Sequence, residues 1–193
     1  MDKIITKSAG KLKVAALAGS LRNGSYNKML LNAAIELAPE NMEFDILSMD
    51  DFPLFDHDVL DAGIPEPVME FKKKLKAADA LLISTPEYNH SIPGVLKNAI
   101  DWASRPISEY PFTGKPLGIM GASTGLAGSL RAQPHLRQIL FLSNDMRTPE
   151  LFVQLVQDKF DSNGRLIDEK LKEHIKKFMS SFEKWITKSI IAK

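Results

Sequence analysis

The chain has 193 residues, 44% of them hydrophobic and 25% charged, the composition of a soluble globule long enough to bury a core without staples. Its 25 Lys and Arg against 24 Asp and Glu leave a formal net charge of +1, without the basic excess that wrapping a nucleic acid or coating an anionic membrane requires. With no cysteine, disulfides, thiolate metal sites and cysteine nucleophiles are excluded. No apolar run reaches the length of a membrane span, and residues 1–10 lack the apolar stretch of a secretory signal, so a cytoplasmic location is expected.

The first pattern along the chain is Lys13–Gly19, a continuous apolar run ending in glycine, which reads as a strand buried on both faces. The polar loop Ser20–Asn27 follows, then Met29, Leu30, Ala33, Ala34 and Leu37 at helical spacing up to Pro39. Met42–Leu47 reads as the second strand and residues 49–67 as a long, acidic, solvated connection. Val68, Phe71, Leu75 and Ala78 mark the next helix, and Ala80–Ser84 the third strand. Pro93 opens a helix with Val95, Leu96, Ala99, Ile100 and Ala103 on its buried stripe, closed by Pro106. Pro116–Met120 is the fourth strand. A fourth helix carries Leu130, Leu136, Ile139 and Leu140, with Pro134 either its start or a kink. A fifth strand is expected within Arg147–Val156, and Leu171, Ile175, Phe178, Phe182 and Ile186 make an amphipathic C-terminal helix.

Apolar strands alternating with helices predict an α/β fold: a flavodoxin-like three-layer sandwich around a five-stranded parallel sheet of order 2-1-3-4-5. The whole chain reads as one domain, with residues 1–11 a loose N-terminal tail. In such a sheet ligands bind beyond the strands' carboxyl ends, where the strand order reverses. That selects the loops 19–27 and 85–92, with 121–128 beside them.

The loop Gly19–Asn27 holds Ser20, Ser25, Asn27 and Arg22 at a helix N-terminus, where backbone N–H groups and a guanidinium favour a phosphate. Gly19 and Gly24 match half of a P-loop, but Ser25-Tyr26 stand where Lys and Ser or Thr would be, which points to a monophosphate. The same residues also make an ordinary capped turn, and the loop alone does not separate the two. In Thr85–Gly94 two prolines fix the path, Tyr88 offers an aromatic face, and Glu87 and Asn89 supply polar edges; this suits a flat heterocycle and equally a stiff surface loop. Gly121–Gly128 is small enough for close backbone approach to a ligand.

Ala18–Asn27, Thr85–Asn89 and Pro93–Trp102 together resemble the NADPH-dependent FMN reductase family, which includes bacterial quinone, chromate and azo-dye reductases. The similarity runs from about residue 12 to residue 185, and Gln133–Leu140 fits the chromate and quinone reductase branch. The resemblance implies that Ser20, Arg22, Ser25 and Asn27 hold the FMN phosphate and that Leu21 also belongs to the cofactor site. It places Pro86, Glu87, Tyr88 and Asn89 along the isoalloxazine, with Ser123 and Gly125 completing the cleft. It further implies an NADPH- or NADH-dependent reductase of quinones, azo or nitro compounds, chromate or flavin. Hydride would pass through flavin N5 in ping-pong turnover, with no catalytic side chain and no metal. A homodimer or homotetramer acting on small-molecule acceptors, without nucleic acid or membrane, is the expectation for partners.

Arg105, after the third helix, is a candidate for attracting anionic acceptors or the nucleotide phosphate, and equally an arginine complementing a helix dipole. The alternative to a reductase is a flavodoxin-type electron carrier or a flavin-binding regulatory protein with little turnover. Asp51, Asp56, His57 and Asp58 share an acidic loop but do not complete a coordination sphere. Lys72, Lys73, Lys74 and Lys76 fall off the apolar stripe of their helix and read as a solvated face.

Overall fold

The computed structural model describes residues 10–146 and 149–191. Strands β1 (Leu12–Ala18), β2 (Met42–Ile46), β3 (Ala80–Ser84) and β4 (Pro116–Ala122) lie parallel in the order β2-β1-β3-β4. Two short strands, β5 (Asn144–Asp145) and β6 (Leu151–Val153), fill the fifth lane: β5 pairs with Pro116 and Leu117, and β6 with Met120, Gly121 and Ala122. The expected parallel order 2-1-3-4-5 is therefore present. The strand expected within Arg147–Val156 is β6, and the structure adds β5 before it in the same lane; the break between them contains Pro149, which has no N–H for a ladder. Arg147 and Thr148 of that expected strand lie outside the described residues, as do residues 1–9 of the expected tail.

Side chains alternate across the sheet because the strand period is two. Val14, Ala16, Leu82 and Met120 join the core under α1 (Tyr26–Glu36) and α6 (Glu169–Ile191), which contributes Ile175, Phe178, Phe182 and Ile186. Ala15, Leu17, Leu81, Ile83 and Ile119 face the other way. They pack against Phe71 and Leu75 of α3 (Glu66–Ala77), Leu96 and Ile100 of α4 (Gly94–Ala103), and Leu136 of α5 (Ala132–Ile139). Both faces of the sheet are thus covered, which is why its strands read as unbroken apolar runs. Pro134 sits in the first turn of α5 and marks its start.

The connection 49–67 departs from the solvated loop expected of it. It contains α2 (His57–Ala62), capped by Asp56, whose Oδ1 accepts from the Asp58 N–H at 2.9 Å. It is also pinned to α4. The Pro53 carbonyl accepts from Trp102 Nε1 at 2.8 Å and Asn98 Nδ2 at 2.9 Å, and Asn98 Oδ1 accepts from the Phe55 N–H at 2.8 Å. Among the described residues no helix is long and apolar enough to cross a membrane.

Candidate functional site

The β1–α1 loop leaves the sheet at Gly19, whose N–H donates to the Ser84 carbonyl of β3 at 2.8 Å. Ser25 caps α1, its Oγ accepting from the Asn27 N–H at 3.3 Å. Ser20 and Ser25 are buried while Leu21 and Arg22 are exposed. The Arg22 guanidinium lies 5.8 Å from the Tyr26 ring centroid, held over its face beside the helix start. The first turn of α1 carries no carboxylate, so an anion entering here meets the positive helix end and a guanidinium with no opposing charge from the helix's own first turn.

The β3–α4 loop folds back on itself in a tight turn. Tyr88 and Ser91 pair antiparallel, each N–H donating to the other's carbonyl at 2.9 and 3.0 Å. Asn89 and His90 between them both have positive φ, 49° and 65°. That is a two-residue turn of the primed type, which favours glycine or asparagine and is unusual for a histidine. The Tyr88 ring at the start of this turn is half exposed. Two side chains tie this loop to α5: Ser91 Oγ lies 2.7 Å from His135 Nδ1, and Glu87 reaches the start of the helix.

The Glu87 side chain, 12% exposed, caps α5 from another loop. Oε2 accepts from the backbone N–H groups of Arg131 at 2.8 Å and Ala132 at 3.3 Å, and Oε1 from Arg131 Nη1 at 3.3 Å. Desolvation pushes this carboxyl upward, but the two backbone donors and the guanidinium together outweigh it and leave it below its ordinary value. A carboxyl depressed on folding stabilises fully above its ordinary value of 4.5, and the contribution disappears as pH falls through the lower, folded value. Wild-type protein is therefore expected to lose more Tm between about pH 5 and about pH 3 than Glu87→Gln does. Parallel Tm curves for the two proteins would remove Glu87 from this role.

The β4–α5 loop begins at Ser123, whose N–H donates to the Val153 carbonyl at 2.9 Å and whose Oγ accepts from the Gly125 N–H at 3.0 Å. Gly128 and Ser129 follow with φ of 55° and 70°. Ser129, fully buried, accepts from Gln133 Nε2 at 3.1 Å, and the same amide donates to the Leu151 carbonyl at 3.0 Å. A Cβ on Gly121 would stand 2.0 Å from Ser129 Oγ and 2.4 Å from the Thr85 carbonyl. Glycine is therefore required where the β3 and β4 loops meet.

The structure thus brings Ser20, Leu21, Arg22, Ser25, Asn27, Pro86, Glu87, Tyr88, Asn89, Ser123 and Gly125 onto three neighbouring loops at the carboxyl edge of β1, β3 and β4. It does not bring Arg105 there within one chain. The ten residues of α4 carry it away from the β3 loop by roughly 15 Å at the helical rise. There its guanidinium lies 5.8 Å from the Phe55 ring centroid and its carbonyl accepts from the Lys72 ammonium. Among the described residues no group of three or more His, Asp or Glu side chains is placed to hold a metal. Sequence reasoning gave no site role to Ser84, Thr85, Ser129, Arg131, Gln133 and His135, which bond to the ends and loops of the strands, although Thr85, Gln133 and His135 lie in stretches that carry the family resemblance.

A doubly wound parallel sheet with an anion-receptive loop at its switch point, flanked by two braced walls, defines a flavodoxin-like protein built for a phosphate-bearing planar ligand. The NADPH-dependent FMN reductase model matches residues 12–159, and the chain belongs to that family. It is similar to the NAD(P)H-dependent FMN reductase of Pseudomonas aeruginosa, 48% identical over 177 residues that cover 91% of this chain and 95% of that protein. A 2-hydroxy-1,4-benzoquinone reductase of Burkholderia sp is 41% identical over 177 residues, covering 91% and 96%. Among solved structures, the flavoenzyme NAD(P)H:(acceptor) oxidoreductase FerB of Paracoccus denitrificans superposes with a TM-score of 0.85 at 37% identity, over 92% of this chain and 98% of that one. The chain is accordingly an oxidoreductase of the FMN- and NAD(P)H-dependent kind. Its carboxylate-free helix start with Arg22 alongside fits the FMN phosphate.

Proposed function

We propose that this protein is an FMN-dependent NAD(P)H reductase whose acceptors are quinones first, with azo and nitro compounds, chromate and free flavin as further substrates of one permissive site. The observation that carries the reading is the junction of a carboxylate-free anion seat at α1 with two rigid loops at the ends of β3 and β4. Ser20, Leu21, Arg22, Ser25 and the α1 backbone hold the phosphate. Pro86, Glu87, Tyr88 and Asn89 form one wall for a flat ring, and Ser123 with Gly125 the other. When bound, FMN supplies the hydride chemistry between the nicotinamide and the acceptor. The chain's own part is to fix the ring, keep one face open and present the same opening to donor and acceptor in turn, which gives ping-pong kinetics. Arg105 is retained as a candidate for anionic acceptors. Its test is an Arg105→Ala change that raises KM for an anionic acceptor more than for a neutral quinone.

A homodimer or homotetramer is proposed from the family resemblance and from the exposed apolar rim of Leu126, Leu130 and Leu155 around the site; light scattering on the purified protein checks it. The cytoplasm, where NAD(P)H is supplied, is the proposed compartment.

The first experiment is the visible spectrum of purified protein, repeated after anaerobic addition of NADPH and then NADH. Flavin bands that bleach, and return when a benzoquinone is added, support the reductase. Bands that survive both nucleotides move the protein to the electron-carrier or regulatory class. Colourless protein that takes up no FMN overturns the reading. Arg22→Ala is expected to raise the FMN Kd about tenfold, the loss of one charge-assisted contact, while leaving riboflavin affinity unchanged. Equal losses for both ligands would move Arg22 off the phosphate.

A further inference from the structure

β3 abandons the sheet before β4 does. Regular pairing ends at Ser84 opposite Met120, with one last bond from the Thr85 N–H to the Met120 carbonyl at 2.9 Å. Pro86 then takes the chain away, while β4 runs on to Ala122. The backbone of Ala122 would be stranded on that side, and buried, if nothing replaced the missing strand. A side chain replaces it. Asn27 Oδ1 accepts from the Ala122 N–H at 2.9 Å, and Asn27 Nδ2 donates to the Ala122 carbonyl at 3.0 Å. One carboxamide reproduces the donor and acceptor of a strand residue. Ser84 Oγ donates to the same Oδ1 at 3.1 Å, so both lone pairs of that oxygen are engaged. Asn27 is only 3% exposed, and it is the second residue of α1, two positions past the Ser25 cap.

We propose that Asn27 is a positioning residue, with Ser84 as its partner: its carboxamide fixes the start of α1 against the ends of β3 and β4 and so sets the geometry of the whole cradle. This rests on the reading of the α1 loop as the seat of the FMN phosphate, and it moves Asn27 from the phosphate contacts to the frame beneath them. The carboxamide is required in full. A carboxylate at this position would set an acceptor against the Ala122 carbonyl, and an apolar side chain would leave three buried polar groups without partners. Ser84 has no place in a phosphate-contact account, because the hydroxyl bond the structure gives it is to the carboxamide that braces the loop.

The test compares Asn27→Ala, Asn27→Asp and Ser84→Ala with wild type, reading three quantities. The first is backbone amide exchange at Ala122 in flavin-free protein. The second is the FMN Kd. The third is the visible absorption and circular dichroism of bound FMN at saturation. The proposal expects faster Ala122 exchange without flavin in both Asn27 variants and an altered flavin spectrum at saturation, because the β3 and β4 loops move with α1. It expects Ser84→Ala to raise the FMN Kd roughly three- to tenfold, the range of one lost intramolecular hydrogen bond, and Asn27→Asp not to rescue Asn27→Ala. A simple phosphate ligand would instead leave Ala122 exchange and the bound-flavin spectrum at wild-type values and make Ser84→Ala silent; that result overturns the proposal. If the Asn27 variants do not fold, Ser84→Ala decides alone by its Kd and spectrum. Wild-type protein that fails to bind FMN overturns the functional reading itself, whereas wild-type binding with silent variants overturns this inference only.

Discussion

Gly121→Ala is expected to destabilise the protein by about 3 kcal/mol, the upper part of the usual range for forcing atoms into a packed core, and to weaken FMN binding with it. The new methyl would overlap Ser129 Oγ and the Thr85 carbonyl, at 2.0 and 2.4 Å. Neither neighbour yields cheaply. Thr85 is backbone at the end of β3, held by its bond to Met120. Ser129 is buried with φ 70° and bonded to Gln133, which also braces Leu151 of β6. Relief therefore requires the β3 loop and the β4 loop to separate, and these are the two walls of the proposed ring site. The control is Gly94→Ala, at the first position of α4 with nothing within 4 Å of the added Cβ, which is expected to be neutral or to stabilise by about 0.5 kcal/mol. Urea unfolding and FMN titration measure both variants. A Gly121→Ala protein as stable as Gly94→Ala would mean that the walls are not locked together.

The fold was legible because both faces of the sheet are covered. Burial on two sides turns β1, β3 and β4 into apolar runs with visible ends, and the helix stripes then follow from spacing. The last lane was legible only in part: a strand was expected within Arg147–Val156, where β6 lies, but β5 is two residues long, too short for a period, and its place in the lane depends on pairing with β4. The acidic connection concealed α2, although Asp56 as a cap and Gly63 after the last turn were both available as signals.

The candidate loops could be found from topology and motif together, but the work of individual side chains could not. Glu87 and Asn27 were visible as residues of a site, yet the backbone groups they bond to lie 44 and 95 positions away. A capping glutamate normally stands within its own helix; Glu87 caps α5 from the β3 loop, and local sequence has no marker for that. The Asn89–His90 turn was hidden because its sequence lacks the glycine that usually announces such a turn.

Trp102→Ala is expected to cost about 3–5 kcal/mol, the range for truncating a large buried aromatic side chain, and Trp102→Phe about 1 kcal/mol, the worth of one hydrogen bond. Trp102 has no exposed surface, its ring meets Phe55 edge-on at 5.0 Å, and its Nε1 donates to the Pro53 carbonyl. Truncation empties the space beneath the 49–67 connection and removes one of the two donors that hold the Pro53 carbonyl. Asn98 Nδ2 is left as the other. Phenylalanine keeps most of the packing and loses only the indole donor, so the gap between the two variants separates volume from hydrogen bonding. The connection carries Phe55, against which the Arg105 guanidinium lies. Loosening it therefore frees Arg105 without touching the three cleft loops. The expected pattern in Trp102→Phe is a small loss of Tm with an unchanged FMN Kd, measured by thermal unfolding and flavin fluorescence quenching. A Kd that rises as steeply as the stability falls would show that the connection and the cleft form one cooperative unit.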